Sequence, residues 1–395
     1  MNKLLRFLMT GLLLLVPFYA SAETLDADAE TVKQEVTALM KEHDIPGAAV
    51  EIYVDGKPRS YYFGFANQEK KTPVTKLTIF EVGSITKIMT SLLLAQEVDA
   101  AKVQLDDPVT KFMSSLPGDF DDMTLKSLAT HVSGLPFDAP SIQDQTAFEN
   151  YLGKWKPTYS AGDKWTYSNV GIGMLGMALE SVTHKNYNQL YRSQILSPLK
   201  MQPIALSVPQ RLQRYYAQGY NKDGKPVNPL QLGLFAPAYG FKLSADDMHR
   251  FLGAAIGLPG TPERIFYPMR MTQTAYVKLN DMDQGLGWLI HPFTSANTAP
   301  LLSDPAMELG PLNVVDVYDK PVFNGEALID KTGSTDGFRT YIAVLPNRKS
   351  GIAIMINKNV PGNAVVHTAR KILFDLANAS GKVNHETNKP ESAQG

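Results

Sequence analysis

The stretch Phe80-Glu81-Val82-Gly83-Ser84-Ile85-Thr86-Lys87-Ile88-Met89-Thr90 continues into Ser91-Leu92-Leu93-Leu94-Ala95, and the rest of the chain is read outward from it. Its pattern predicts a helix that starts just past a glycine. Residues i and i+3 of a helix share a face, so the Lys87 amine falls beside the Ser84 hydroxyl. The surrounding residues are apolar on nearly every side, which marks a buried helix rather than a surface one. Burial disfavours a charged lysine, and a neutral amine can act as a base toward a serine nucleophile. The bland alternative is a serine cap with a flanking lysine. Ser197-Pro198-Leu199-Lys200 repeats the S-x-x-K spacing by chance at a helix end.

Upstream, Glu30 to His43 has the spacing of an amphipathic helix, broken by Ile45-Pro46-Gly47. Ala48 to Val54 and Ser60 to Ala66 read as a hairpin turning at Asp55-Gly56. From Lys87 to Met248 helices and loops dominate. Leu105-Asp106-Asp107-Pro108 reads as a junction between two helices, with aspartates that cap rather than catalyse. Met123 to His131 reads as a short helix, and Tyr167-Ser168-Asn169 leads into a buried helix over Val170 to Thr183. The region from Leu199 to Gly240 is rich in Pro, Gly and Gln and reads as a long functional or mobile loop. Strands return at Ala327 to Thr332, Thr340 to Leu345 and Gly351 to Ile356, with turns at Gly333 to Gly337 and Pro346 to Lys349. A helix over Val365 to Ala379 follows. Strands at both ends with helices between them predict a discontinuous α/β domain over 23–84 and 251–380. A mostly helical domain over 85–250 is inserted into it, and 381–395 reads as a disordered polar tail.

Residues 1–22 have the form of a signal peptide: basic Lys3 and Arg6, apolar Leu12 to Phe18, and small Ala20-Ser21-Ala22. Cleavage after about Ala22 and export to the periplasm are expected, without a membrane anchor, because the apolar run is short for a bilayer span. The chain has 395 residues, no cysteine and a net charge of −1, so neither disulfides nor thiol chemistry is available and nothing points to nucleic acid. The seven histidines form no H-E-x-x-H, so no metal or other cofactor is expected.

Two further motifs follow Ser84 and Lys87. Tyr167-Ser168-Asn169 comes about 80 residues later, and Lys331-Thr332-Gly333 about 160 residues after that. S-x-x-K and Y-x-N are each near chance level, an accidental K-T-G has a probability on the order of one in ten, and the ordered conjunction of the three in an exported chain is far more specific. The set resembles the S-x-x-K, S-D-N and K-T-G motifs of serine β-lactamases and penicillin-binding proteins. The tyrosine in the middle motif is similar to the class C, AmpC-like branch. So are Ile45-Pro46-Gly47, Ala236-Pro237-Ala238-Tyr239-Gly240 and Lys331-Thr332-Gly333-Ser334-Thr335-Asp336-Gly337-Phe338. The resemblance runs from about Ile45 to Leu376.

It implies an antiparallel sheet flanked by helices, a small-molecule β-lactam substrate and a monomeric enzyme. Ser84 would form an acyl-enzyme. Its proton would go to Lys87 directly, or to Tyr167 held as a phenolate by the charges of Lys87 and Lys331, which would each lower the phenol by about 1–3 units. The backbone N–H groups of Ser84 and Ser334 would form the oxyanion hole. Thr332 and Lys331 would meet the substrate carboxylate, with Gly333 unobstructed beside them. Asn169 would bind the side-chain amide, Tyr239 would wall the pocket, and Asn359 would line it. Three positions depart from the branch: Asp138 stands where glutamine is usual, and Gly362 and Val365 stand where asparagine and arginine are common. The alternatives are a D-alanyl-D-alanine carboxypeptidase, an esterase, or a penicillin-binding protein that stops at the acyl stage. His131 and Ser133 offer a Ser/His dyad, but no G-x-S-x-G surrounds them, and a helix-ending turn is the plainer reading.

Overall fold

A computed structural model describes residues 20–116, 120–140, 142, 144–294, 298–303 and 309–387; most of the expected signal peptide and the last eight residues lie outside these. Helix α1 (Ala20–Glu42) begins earlier than the helix expected over 30–43. It leads to β1 (Gly47–Val54), β2 (Lys57–Asn67), β3 (Thr72–Pro73) and β4 (Ile79–Glu81). The β1–β2 turn has positive φ at both Asp55 (49°) and Gly56 (74°), the twist that suits a two-residue hairpin loop. Helix α2 (Ile85–Asp99) follows, then α3 (Leu125–Ala129), α4 (Gln145–Leu152), β5 (Lys164–Trp165), α5 (Asn169–Thr183), α6 (Tyr187–Tyr191) and α7 (Ala236–Tyr239). Strand β6 (Lys242–Ser244) pairs antiparallel with β4, so the segment between them is closed at its base by this short ladder.

The C-terminal part comprises α8 (Ala245–Ala255), α9 (Glu263–Thr272), β7 (Ala275–Lys278), β8 (Asp283–Gln284), β9 (Leu289–His291), α10 (Thr298–Ser303), β10 (Leu312–Asn313), β11 (Asp316–Val322), β12 (Leu328–Ser334), β13 (Arg339–Leu345), β14 (Ser350–Ile356) and α11 (Gly362–Thr387). Among the described residues one ten-stranded antiparallel sheet runs β11-β7-β8-β9-β12-β13-β14-β1-β2-β3. Its N- and C-terminal strands meet where β14 pairs with β1, Ala48 opposite Ile356.

Strands β1 and β14 are buried along their whole length, because helices cover both faces of the sheet. Alternate residues separate into two apolar layers. Val50, Ile52, Tyr341, Ala343, Ile352 and Ile354 pack under α1 and α11 with Val36 and Leu373. Ala49, Tyr53, Ile342, Val344, Ala353 and Met355 face the other layer, with α2 and α8.

Several boundaries differ from those expected. Helix α2 ends at Asp99, well before Asp106 and Asp107; Asp107 accepts from the Gln104 N–H and pairs with Lys111, and Asp106 pairs with Lys126. The edge expected at residue 250 falls inside α8, which packs on β1, β13 and β14. Strands β7, β8, β9 and β11 had no legible pattern; several are only two to four residues long. The region 199–240 contains a 3-10 helix (Gln210–Tyr215) and α7, and buried Glu81 anchors it by accepting from the Tyr216 hydroxyl (2.5 Å) and the Leu230 N–H (2.7 Å). Helix α11 continues to Thr387, into the stretch read as a tail. Strand β12 does not end at Gly333 but continues through Ser334, because Gly333 and Ser334 pair with Thr340 and Arg339 of β13.

Two glycines fix α2 against that strand. A Cβ at Gly333 would collide with the Val82 carbonyl, and one at Gly83 (φ 51°) would lie 2.5 Å from the Ser334 nitrogen. Both obstacles are backbone and cannot step aside. Gly333→Ala is therefore expected to cost about 1–3 kcal/mol in urea denaturation and to displace α2 from β12, with loss of Ser84 reactivity. Wild-type stability in this variant would show that the contact is not a constraint.

Candidate active site

From Thr78 to Glu97 every residue is buried except Ser84, which is half-buried at the N-terminus of α2. Among the described residues the Ser84 N–H donates to no backbone carbonyl, while the next three amides bond three residues back in a tight first turn. Threonines at successive turns hold α2 to α7 and the residues just after it. Thr90 Oγ1 donates to the Pro237 carbonyl (2.5 Å), and Thr86 Oγ1 accepts from the Phe241 N–H (3.1 Å).

Between them, Lys87 is wholly enclosed. Its Nζ lies 3.1 Å from Ser84 Oγ, 2.6 Å from Asn169 Oδ1 and 2.9 Å from the Ala238 carbonyl. Burial first, and the charge of Lys331 second, push its pKa well below the ordinary lysine value, with Asp138 opposing. Asn169 opens α5, where Ser168 caps the helix by accepting from the Gly171 N–H (2.9 Å). The same two residues tie down the preceding loop: Ser168 Oγ donates to the Pro136 carbonyl (2.6 Å), and the Asn169 N–H to that of Phe137 (2.8 Å). This sets Asp138 Oδ1 2.9 Å from Asn169 Nδ2. Asn169 thus bridges Lys87 and an exposed carboxylate at the cavity mouth.

Tyr167 is 3% exposed and hydrogen-bonded to Ser84. Lys87 Nζ and Lys331 Nζ sit over its ring, 4.7 and 4.9 Å from the centroid. The expectation of a lowered phenol is overturned. Burial raises the Tyr167 pKa well above its ordinary value, Asp138 adds to the rise, and only the Ser84 hydrogen bond opposes it. The two amines are themselves driven toward neutrality: Lys331 is lowered to about 8 by burial, partly offset by Asp330.

His131 stacks on Tyr167 with centroids 4.4 Å apart, and its Nδ1 accepts from the Ser168 N–H (3.2 Å). Burial, then the Lys87 and Lys331 charges, hold its pKa well below the usual imidazole value. Ser133 Oγ accepts instead from the Leu135 N–H (3.4 Å), so the two do not act as a dyad. The second S-x-x-K match, Ser197 and Lys200, is exposed on the surface.

A cavity of about 1740 Å³ opens over these residues, and Ser84, Asp138, Asn169, Tyr239, Thr332 and Asn359 are among its lining. Gly333 and Ser334 also border it, whereas Lys87 and Lys331 lie behind its wall. Lys331 donates to the Thr332 carbonyl (3.1 Å), and Asn359 Nδ2 to that of Thr335 (3.3 Å). Among the described residues no group of three or more His, Asp or Glu is placed to hold a metal ion. Sequence reasoning missed the Ala238 carbonyl, since a backbone acceptor leaves no residue signature, and it missed the packing of His131 behind Tyr167.

A family model described as Beta-lactamase matches residues 32–376. The chain is 32% identical to a β-lactamase of Pseudomonas fluorescens, covering 87% of this chain and 97% of that one. It is likewise 32% identical to a β-lactamase of Yersinia enterocolitica, over 91% and 95% of the two chains. Among solved structures, a D-alanine carboxypeptidase AmpC from Burkholderia cenocepacia superposes with a TM-score of 0.83 at 34% identity, covering 89% and 99%. A class C β-lactamase in complex with cefoxitin gives 0.83 at 33% identity and the same coverage. The chain belongs to the β-lactamase family, in its AmpC-like class C branch.

Proposed function

We propose that the protein hydrolyses β-lactams through an acyl-enzyme on Ser84, with Lys87 as the base. The observation that carries this is the environment of Lys87 Nζ. A neutral amine has two N–H bonds and one lone pair. Asn169 Oδ1 and the Ala238 carbonyl take the two N–H bonds, leaving the lone pair for the Ser84 hydroxyl 3.1 Å away. Burial shifts the amine toward that neutral state. Ser84 Oγ then bonds to the lactam carbonyl carbon, its proton passes to Lys87, and the lactam C–N bond breaks. Tyr167 remains protonated and adjoins Ser84, so it can hand a proton to the departing nitrogen and recover one from Lys87. The free Ser84 N–H and the Ser334 amide would receive the developing oxyanion. Deacylation reverses the roles around a water molecule. Asn169 and Tyr239 would contact the acyl side chain, and Thr332 and Asn359 the opposite end. The pattern of residues 1–22 supports export to the periplasm.

The purified protein should turn over a chromogenic cephalosporin well beyond one equivalent. Ser84→Ala should be inert, and Lys87→Met should slow acylation by roughly 10²–10⁴-fold. A single burst would instead indicate a protein that stops at the acyl stage. The likeness to a D-alanine carboxypeptidase gives a second reading, supported if D-alanine is released from a peptide while the cephalosporin is untouched.

Asp138 places a carboxylate where the acyl side chain would lie. Asp138→Gln should raise kcat/KM for substrates with anionic side chains about two- to fivefold relative to neutral ones. An unchanged ratio would remove Asp138 from specificity.

Lys331 also gives a stability signature. Its pKa is about 8 in the folded protein against 10.5 for the free side chain, so the unfolded chain binds the proton more tightly in that window. Its contribution is complete above 10.5 and lost as pH falls through about 8. Calorimetric stability should therefore gain a component that rises with pH above 8, and Lys331→Met should lack it. Parallel curves for the two proteins would contradict the shift.

A further inference from the structure

The far end of the cavity lacks the polar groups common in this branch. Val365 is 2% exposed among apolar neighbours, and nothing lies within 4 Å of where a Gly362 Cβ would stand. Lys331 sits behind the wall. Two arginines line the cavity. Arg370 is committed to Asp330 (2.7 Å) and to the Tyr341 hydroxyl (2.8 Å). Arg339 is half-buried, and its Nε donates to the Val360 carbonyl (2.7 Å). Among the described residues it has no acidic partner, and burial alone moves its pKa, downward.

Register decides where this side chain projects. Arg339 opens β13 opposite Ser334, and Tyr341 lies opposite Thr332. Thr332, Ser334 and Arg339 therefore share one face at the end of two adjacent strands, and all three border the cavity. With Nε anchored, the two terminal nitrogens remain as a planar fork, the geometry that pairs with a carboxylate. We propose that Arg339 recognises the substrate carboxylate on the leaving-group side of the scissile lactam bond, together with Thr332 and Ser334. In a β-lactam this is the carboxylate on the fused ring. A partly desolvated guanidinium without a protein counter-ion is completed by such a ligand.

This rests on the hydrolytic reading above, and the test separates the two. Wild type, Arg339→Ala and Arg339→Gln are compared on a chromogenic cephalosporin and on its methyl ester, with thermal melts for each protein. Glutamine keeps a stem and a donor for the Val360 carbonyl, so it retains the local packing without the charge. Both variants should raise KM for the free acid roughly 10- to 100-fold, with kcat less affected and the ester nearly unchanged. An unchanged acid-to-ester ratio, or equal losses on both substrates, would overturn the role of Arg339 while leaving the enzyme's function standing. A wild-type protein that turns over neither compound would overturn the hydrolase and, with it, this assignment.

Discussion

The backbone contact between the Gly83 turn and the Gly333 segment of β12 is the constraint on which the site depends. Side chains on either element would hold the two apart. Their approach puts the half-buried Ser84 beside the Ser334 amide, and it seats α2 against the middle of the sheet. The flanking strands and helices extend this contact. Strand β13 fixes the register of Ser334, while Thr86 and Thr90 bind the α7 segment from the other side. A nucleophile on a helix and an amide on a strand are thus placed by main chain on both sides, the least adjustable way to set a distance.

A single physical cause then sorts the ionisable groups. Removal from water favours the neutral form of every group, which lowers an amine and raises a phenol. Lys87 and Lys331 shift toward free base, and Tyr167 toward protonated acid, in one apolar pocket. A base and an acid thus arise side by side from burial first, with the neighbouring charges only modulating it. His131, shifted toward its neutral form by the same burial, adds bulk behind Tyr167.

Much of this was legible because short motifs sat on recognisable elements. The i, i+3 spacing on an apolar helix gave Ser84 and Lys87, and the Tyr167-Ser168-Asn169 motif located Asn169. The K-T-G glycine was misread as a turn because a glycine after a strand commonly ends it, whereas here it admits a crossing backbone. The direction of the Tyr167 shift was also missed. Sequence shows which charges are near but not how thoroughly water is excluded. Strands β7, β8 and β9 are too short to alternate visibly, and their place in the sheet comes from neighbours distant in sequence. Arg339 follows the third motif by only a few residues, yet its relation to Ser334 appears only once the strands are paired.

The enclosure of the Thr78–Glu97 run has a consequence for how such an enzyme diversifies. With Ser84 as its only partly exposed member, that run offers no position where a side chain can vary without disturbing the interior. Adaptation to new compounds is therefore channelled to the rim, where Asp138 and Arg339 come from a loop and a strand end and can change without repacking the core.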